Sequence, residues 1–268
     1  ISAGVSKTKS TPVDPASSPF APGHESETPA EIMSIPARDG SGASRWQVRV
    51  VPNKFPVLRV EGEVVREGYG LFDRVSGVGA HEVIVENPDP RRELADLAVG
   101  EITDVLRAYR SRMVDLRRDP RLRYVLIFKN KGREAGASIS HPHSQLIATP
   151  IIPAFVIQEL NAAREHYRHK ERCLFCDVIR QEQRHDERVA LETARFIAIE
   201  PFAAAFPFET WILPKEHRHD FAFAEDDELE ALAAILRDFL RRLRGLLGAP
   251  PYHLVLHTAP SPHPRPSH

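Results

Sequence analysis

The chain has 268 residues, 42% of them apolar and 27% charged, and 36 Lys and Arg against 37 Asp and Glu leave a formal net charge of −1. That length suits one large domain or two small ones. The charge balance argues against general nucleic-acid binding, because counterion release needs a basic face. No apolar run approaches the ~20 residues of a bilayer crossing, and no basic-then-apolar leader opens the sequence, so the expected setting is cytoplasmic, with neither membrane nor nucleic acid as partner.

Residues 1–45, rich in Ser, Pro, Thr and Gly, read as an irregular arm. Over 46–51 apolar and polar residues alternate as in a half-buried strand, and Pro52-Asn53-Lys54-Phe55-Pro56 breaks the run into a loop. A second strand is expected over 81–86. Leu94, Leu97, Ala98, Ile102, Val105, Leu106 and Tyr109 then recur at helical spacing, predicting a helix over 91–118. Its arginines, among them Arg107, Arg110, Arg117 and Arg118, read as a solvated face and not a phosphate patch. A strand over 123–128, a Gly-containing loop over 129–140 and a strand over 145–149 close a first unit. The second half repeats this order, with strands near 189–191, 196–200 and 210–213, a helix near 226–247 and a strand over 252–257. The expected fold is α+β, with antiparallel sheets and flanking helices, organised as an arm (1–45), a first unit (46–150) and a second unit (151–268). The second unit reaches His268 before the last strand of the repeat, so it is expected to be incomplete.

The densest chemical signal runs over residues 130–145, Asn-Lys-Gly-Arg-Glu-Ala-Gly-Ala-Ser-Ile-Ser-His-Pro-His-Ser-Gln. Gly132 and Gly136 allow backbone N–H groups to approach an anion, and Ser138 adds a hydroxyl. Alternation puts His141, His143 and Gln145 on one face of an extended segment. A neutral imidazole there can attack phosphorus, and the phosphoramidate leaves easily once its ring is reprotonated. A glutamine at the third place holds a phosphoryl oxygen without titrating, where a histidine could protonate a leaving group.

This run resembles the active-site segment of galactose-1-phosphate uridylyltransferases, the transferase branch of the histidine triad superfamily. Val51-Pro52-Asn53-Lys54-Phe55-Pro56, Gly79-Ala80-His81-Glu82-Val83-Ile84-Val85-Glu86 and the segment from Pro201-Phe202 through Pro207-Phe208-Glu209-Thr210-Trp211-Ile212-Leu213-Pro214-Lys215-Glu216-His217 are similar too, so the resemblance covers most of the chain from Ser18 on. It implies a duplicated histidine-triad-like unit and a two-step exchange. A histidine takes a nucleoside monophosphate from a nucleotide sugar, releases a sugar 1-phosphate, and passes the nucleotidyl group to a second sugar 1-phosphate. Carried onto this chain, His143 is the nucleophile with His141 beside it, and Gln145 holds the nucleotidyl-enzyme. Asn130, Gly136 and Ser138 contact phosphates, while Asn53, Lys54 and Phe55 border base and ribose. The implied partners are a nucleotide sugar, a sugar 1-phosphate and a second copy in a homodimer. Phosphorolysis of an ADP-sugar or a dinucleoside polyphosphate fits the same His-x-His-x-Gln pattern. A non-catalytic nucleotide-binding paralogue is a third reading, which intact His143, Gln145, Gly136 and Ser138 oppose.

The only two cysteines form Cys173-x-x-Cys176, the spacing of half a zinc knuckle. The resemblance supplies His217 as a third ligand and places a fourth beyond His268, with His219, His257 and His263 as further candidates. The family's other zinc site carries a Cys-Pro-Phe-Cys-Pro-Gly turn together with His81 and His141. Here the turn reads Ser18-Pro19-Phe20-Ala21-Pro22-Gly23, and Ser or Ala does not replace a thiolate. One structural zinc at most is therefore expected, in the second half, with His81 and His141 hydrogen-bonding instead.

Overall fold

A computed structural model describes residues 18–38 and 46–261; most of the arm and the candidate ligand His263 lie outside the described residues. In chain order the strands are β1 (Met33–Pro36), β2 (Trp46–Pro52), β3 (Arg66–Tyr69), β4 (Phe72–Val75), β5 (Ala80–Val85), β6 (Tyr124–Lys131), β7 (His143–Thr149), β8 (Val189–Glu192), β9 (Phe196–Ile199), β10 (Trp211–Pro214) and β11 (Tyr252–Leu256). The helices are α1 (Val99–Leu116), α2 (Ala154–Lys170), α3 (Leu174–His185) and α4 (Asp226–Leu247). Six strands form one sheet in the order β1-β2-β5-β7-β6-β11, three form a second in the order β10-β9-β8, and β3 and β4 make a separate hairpin. All these pairings are antiparallel, as the fold class requires.

Strand alternation divides the large sheet into two working faces. Val50, Ile84, Leu146, Ala148, Val125 and Ile127 pack with Ile102, Val105, Leu106, Tyr109 and Met113 of α1 and with Leu229, Ala233, Leu236 and Leu240 of α4 in the main core. Val51, Val83 and Val85 sit in a smaller cluster with Phe20 and Trp46. Burial of such aliphatic side chains stabilises by roughly 1.5–3 kcal/mol each. The smaller sheet packs on α3 through Ile179, Ile197 and Ile199, and on α4 through Ala198 and Ile235.

Four differences from the sequence reading have clear physical causes. First, α1 starts at Val99, after a 3-10 turn at Leu94–Asp96, because the Glu101 carboxylate accepts from Ala98 N–H and caps the helix there. Second, the described part of the arm is ordered: β1 pairs with β2, and buried Arg49 ties the arm down through Glu31 at 3.0 Å and Thr28 at 2.8 Å. Third, several of the arginines make ion pairs across the fold, Arg107 and Arg110 while still partly exposed and Arg112 while buried, whereas Arg118 keeps the solvated place expected of it. Arg107 and Arg110 reach Asp226 on α4, Arg117 reaches Asp220 at 2.6 Å, and Arg112 forks onto Glu82 of β5 at 2.7 and 2.8 Å. Fourth, β11 pairs with β6, so the large sheet takes strands from both halves of the chain.

The Arg112–Glu82 fork is buried on both sides, so truncating one partner leaves an uncompensated charge. Arg112→Met is expected to cost about 3–5 kcal/mol, read as a lower urea midpoint with an unchanged slope. Adding Glu82→Gln should recover part of that loss, because it removes the stranded carboxylate.

Candidate active site

On β7 the pleat sends Ser144, Leu146 and Ala148 into the buried side of the sheet and turns His143 and Gln145 to the other. That outer face carries a cleft of about 290 Å³ lined by Pro19, Phe20, Glu27, Thr28, Pro29, Val51, Pro52, Asn53, Lys54, Phe55, Val83, Ser138, Ile139, His143 and Gln145. Five of the residues proposed around His143 from sequence thus converge on one cavity: Asn53, Lys54, Phe55, Ser138 and Gln145.

The His143 ring is oriented by its own strand. Its Nδ1 lies 2.8 Å from the backbone carbonyl of His141. A carbonyl only accepts, so Nδ1 carries the proton and Nε2 keeps the lone pair. Phe20 packs edge-on to the ring, with centroids 5.4 Å apart. Burial holds the imidazole below its ordinary pKa; the His141 carbonyl and Glu86 oppose the shift, and Lys129 reinforces it. The result is a neutral imidazole with a basic nitrogen available for attack.

His141 is fully buried, and both of its ring nitrogens are engaged. Nε2 donates to the Asn87 carbonyl at 2.9 Å, so Nδ1 accepts from Ser18 Oγ at 3.1 Å. Its pKa too is lowered, chiefly by burial. His81 belongs to a different network. Its Nδ1 accepts from Val57 N–H at 3.2 Å, which places the proton on Nε2, 2.9 Å from Gln145 Oε1. Asn53 Oδ1 accepts from Phe55 N–H at 2.9 Å, and its amide nitrogen lies near the protonated Nε2 without bonding to it. The two histidines thus hydrogen-bond as expected, each to its own partners. The His81 contact also sets the sense of Gln145: its carbonyl end is taken, leaving the NH₂ end as the donor for a ligand oxygen.

Asn130 and Gly136 are neighbours of each other and do not line the cleft. Gly136 has φ +85°, and a Cβ there would meet the Asn130 side-chain nitrogen at 3.6 Å. Asn130 Oδ1 lies 2.9 Å from His253 Nδ1 on β11. Gly132, φ +84°, leaves no room for a side chain, since a Cβ would sit 2.9 Å from Pro251.

Several residues of this region were not anticipated. Phe20, Glu27 and Thr28 reach the cleft from the arm. Behind His143, Tyr109, Ser144, Glu86 and Lys129 form a buried polar chain, with the Tyr109 hydroxyl 2.5 Å from Ser144 Oγ, Ser144 2.5 Å from Glu86, and Lys129 Nζ 2.8 Å from Glu86. Burial, then Glu86, raises the Tyr109 pKa, so its hydroxyl stays a donor. One signal was available in the sequence: Lys129 continues the alternation of Val125 and Ile127, whose side chains face the core.

In the second half Cys173 stands at the N-terminal boundary of α3 and Cys176 lies in its first turn. Their sulfurs and a His217 nitrogen all lie within 4.8 Å of one another, with Cys176 Sγ 3.3 Å from His217 Nδ1. His219 and His257 do not join this group; His257 instead pairs with Glu159 at 3.2 Å.

Similarity to known proteins follows the same residues. The model for the N-terminal domain of galactose-1-phosphate uridyl transferase matches residues 43–153, and the model for its C-terminal domain matches 159–268. An ADP-glucose phosphorylase from Arabidopsis thaliana is 33% identical over 92% of this chain and 68% of its own length. A galactose-1-phosphate uridylyltransferase from Thermotoga maritima is 30% identical over 78% of this chain and 65% of its own. The crystal structure of an Arabidopsis thaliana ADP-glucose phosphorylase with bound ADP-glucose superposes with a TM-score of 0.80 at 30% identity, covering 94% of this chain and 76% of that one. The chain thus spans about two thirds of the length of these two sequence relatives, and on this similarity it belongs to the galactose-1-phosphate uridylyltransferase family.

Proposed function

We propose that this protein is a nucleotidyltransferase that exchanges a nucleoside monophosphate between a nucleotide sugar and a sugar 1-phosphate through a covalent intermediate on His143. The observation that carries the reading is the His143 ring itself, neutral, buried, and held with Nε2 as its basic nitrogen in the lining of a cleft of about 290 Å³. In the first step Nε2 forms a bond to the α-phosphorus while the bond to the bridging oxygen breaks, and a sugar 1-phosphate departs with that oxygen. In the second, an acceptor oxygen displaces the histidine. Gln145 offers its NH₂ to a non-bridging oxygen and Ser138 adds a hydroxyl, so charge is stabilised by donors that do not titrate. Asn130 would add its side-chain NH₂ toward the distal phosphate, Gly136, whose N–H is held by the Arg133 carbonyl, leaves room beside it, Asn53, Lys54 and Phe55 border the nucleoside, and His141 supplies the carbonyl that orients the nucleophile. Similarity to ADP-glucose phosphorylase over most of the chain favours a second reading, in which the donor is an ADP-sugar and inorganic phosphate is the acceptor.

We further infer one structural zinc, held by Cys173, Cys176 and His217. The tetrahedral edge of such a site is ~3.5 Å, and the 3.3 Å between Cys176 Sγ and His217 Nδ1 fits it. At the N-terminal turn Ser18 and Ala21 offer no thiolate, and the nitrogens of His141 are taken by Ser18 and Asn87. The unpaired cysteines suit a reducing, cytosolic compartment. A homodimer accords with the apolar tip of the β3–β4 hairpin, where Leu71 and Phe72 are exposed.

Incubation with UDP-glucose or ADP-glucose without acceptor is expected to leave an acid-labile, base-stable nucleotidyl group on His143, detected by peptide mass, and His143→Ala should abolish it. Chasing the labelled enzyme with a hexose 1-phosphate or with inorganic phosphate then separates the two readings by which acceptor clears the label. Label on Cys173 or on a serine would overturn both.

Because burial depresses the His143 pKa, the neutral ring persists to lower pH than a free histidine allows. The labelling rate should hold as pH falls through about 6.5 and decline only below it, as the ring protonates at its lowered value. An acid limb at or above the free-histidine value would contradict the geometry. Burial first, then the His141 carbonyl and the Lys129 and Glu86 charges, set this limb.

Metal analysis of the purified protein is expected to give no more than one zinc per chain. Cys176→Ser or a strong chelator should remove it and lower the melting temperature, with His143 labelling per folded molecule unchanged. Two ions per chain would require a second ligand set.

A further inference from the structure

Hydrogen bonding between β6 and β7 stops just before the nucleophile. The last register pair is Phe128 with Gln145, after which β6 continues to Lys131 paired only with β11. On its other side β7 stays paired with β5 as far as Val85 opposite His143. The reacting residue therefore has a strand neighbour on one side only, at the end of a strand where fraying is cheapest.

At this point the buried side of the sheet carries a charge pair. Lys129 and Glu86 are 2% and 0% exposed, with Nζ and Oε2 2.8 Å apart and Glu93 a more distant second carboxylate at 3.7 Å. Replacing such a pair by apolar residues of like volume is often neutral or stabilising, so stability alone does not account for it. Its contacts do. Glu86 N–H donates to the Pro142 carbonyl at 3.2 Å, Lys129 Nζ lies 3.5 Å from the His143 carbonyl, and Glu86 Oε1 accepts from Ser144 Oγ at 2.5 Å. The side chains of the pair thus hold His143 and Ser144, and the Glu86 backbone holds Pro142.

We propose that Lys129 and Glu86 are positioning residues for His143: their ion pair takes over where the β6–β7 ladder ends and holds the 142–144 peptide so that the ring stays on its bond to the His141 carbonyl. Neither residue touches the cleft, so the pair acts through the backbone and not on the substrate. The proposal rests on the reading of His143 as nucleophile, and it deepens that reading by naming what keeps the nucleophile aimed.

The test compares wild type, Lys129→Met, Lys129→Arg, Glu86→Gln and the double variant Lys129→Met/Glu86→Gln. The expected result for Lys129→Met and for Glu86→Gln is a first-order rate of His143 labelling at least tenfold lower per folded molecule, with the half-saturating nucleotide-sugar concentration within twofold of wild type. Lys129→Arg, which keeps the cation and its donors, should recover part of the rate. The double variant should be no slower than the worse single variant, because the two act as one unit. It also carries the test if a single variant, with its stranded buried charge, does not fold. An unchanged rate in the double variant, or a loss confined to nucleotide-sugar affinity, would overturn the proposal. A second readout does not depend on turnover: the ¹⁵N signals of His143 should report a single Nδ1-protonated tautomer in wild type and a tautomer mixture in Lys129→Met. A wild type that shows the single tautomer yet takes no label would sink the nucleotidyltransferase reading and leave the clamp standing. Tautomers unchanged in Lys129→Met and in the double variant would sink the clamp.

Discussion

One hydrogen bond, from His143 Nδ1 to a carbonyl two residues back in its own strand, decides which nitrogen of the ring can react. A neutral imidazole has one proton to place, and this bond spends it on the side away from the cleft. A net contribution of about 1 kcal/mol shifts a tautomer ratio roughly fivefold, and burial adds to it by disfavouring the doubly protonated ring. Everything proposed for the cleft presupposes that Nε2 is the free base. Ser138 and Gln145 stabilise charge only if something has first attacked the phosphorus.

The surroundings of that bond are arranged so that the carbonyl has little freedom to turn away. The His141 ring, whose backbone supplies the acceptor, is pinned by Ser18 on one nitrogen and the Asn87 carbonyl on the other. Where the resembling family places a thiolate, this chain has a serine hydroxyl within hydrogen-bond distance of the same histidine. A hydroxyl and a carbonyl here hold the ring by both nitrogens, where a metal ion would take one and leave the other to a hydrogen bond. The two halves of the chain have been treated differently in this respect, since Cys173, Cys176 and His217 retain the softer donors.

Much of this was legible in the sequence because the informative residues are close together. His143 and Gln145 alternate in a strand, so their common face follows from the pleat alone, and the glycines of the preceding loop announce a turn; His141 precedes the strand and lies buried off the cleft, which the alternation did not foretell. The strands β8 to β11 and the helix α4 among them were placed to within about a residue or two by the same periodicities. What escaped was non-local or lacked a period. The α2 helix has Val156 as its one buried residue and so carries no apolar stripe. β1 is four residues long with an alternating half-buried pattern, inside a segment whose composition reads as loop. The pairings of Ser18 with His141, Glu86 with Lys129 and Arg117 with Asp220 join residues far apart along the chain. A charged residue in an otherwise apolar pattern signals that it has a partner and does not say which one.

The union of β11 with β6 also has a bearing on how the polypeptide reaches its native state. Tyr252 pairs with Lys131 and Leu256 with Ile127, contacts of high sequence separation that form late because the intervening chain must first be brought round. During synthesis the motif-bearing half leaves the ribosome with the outer edge of β6 bare. An open edge of this kind, ending in a strand rich in Val, Leu, Ile and Phe, is a template for pairing with another nascent chain. Lys131, at its far end, places charge where such an intermolecular strand would otherwise extend and makes the unfinished chain a poorer seed for aggregation.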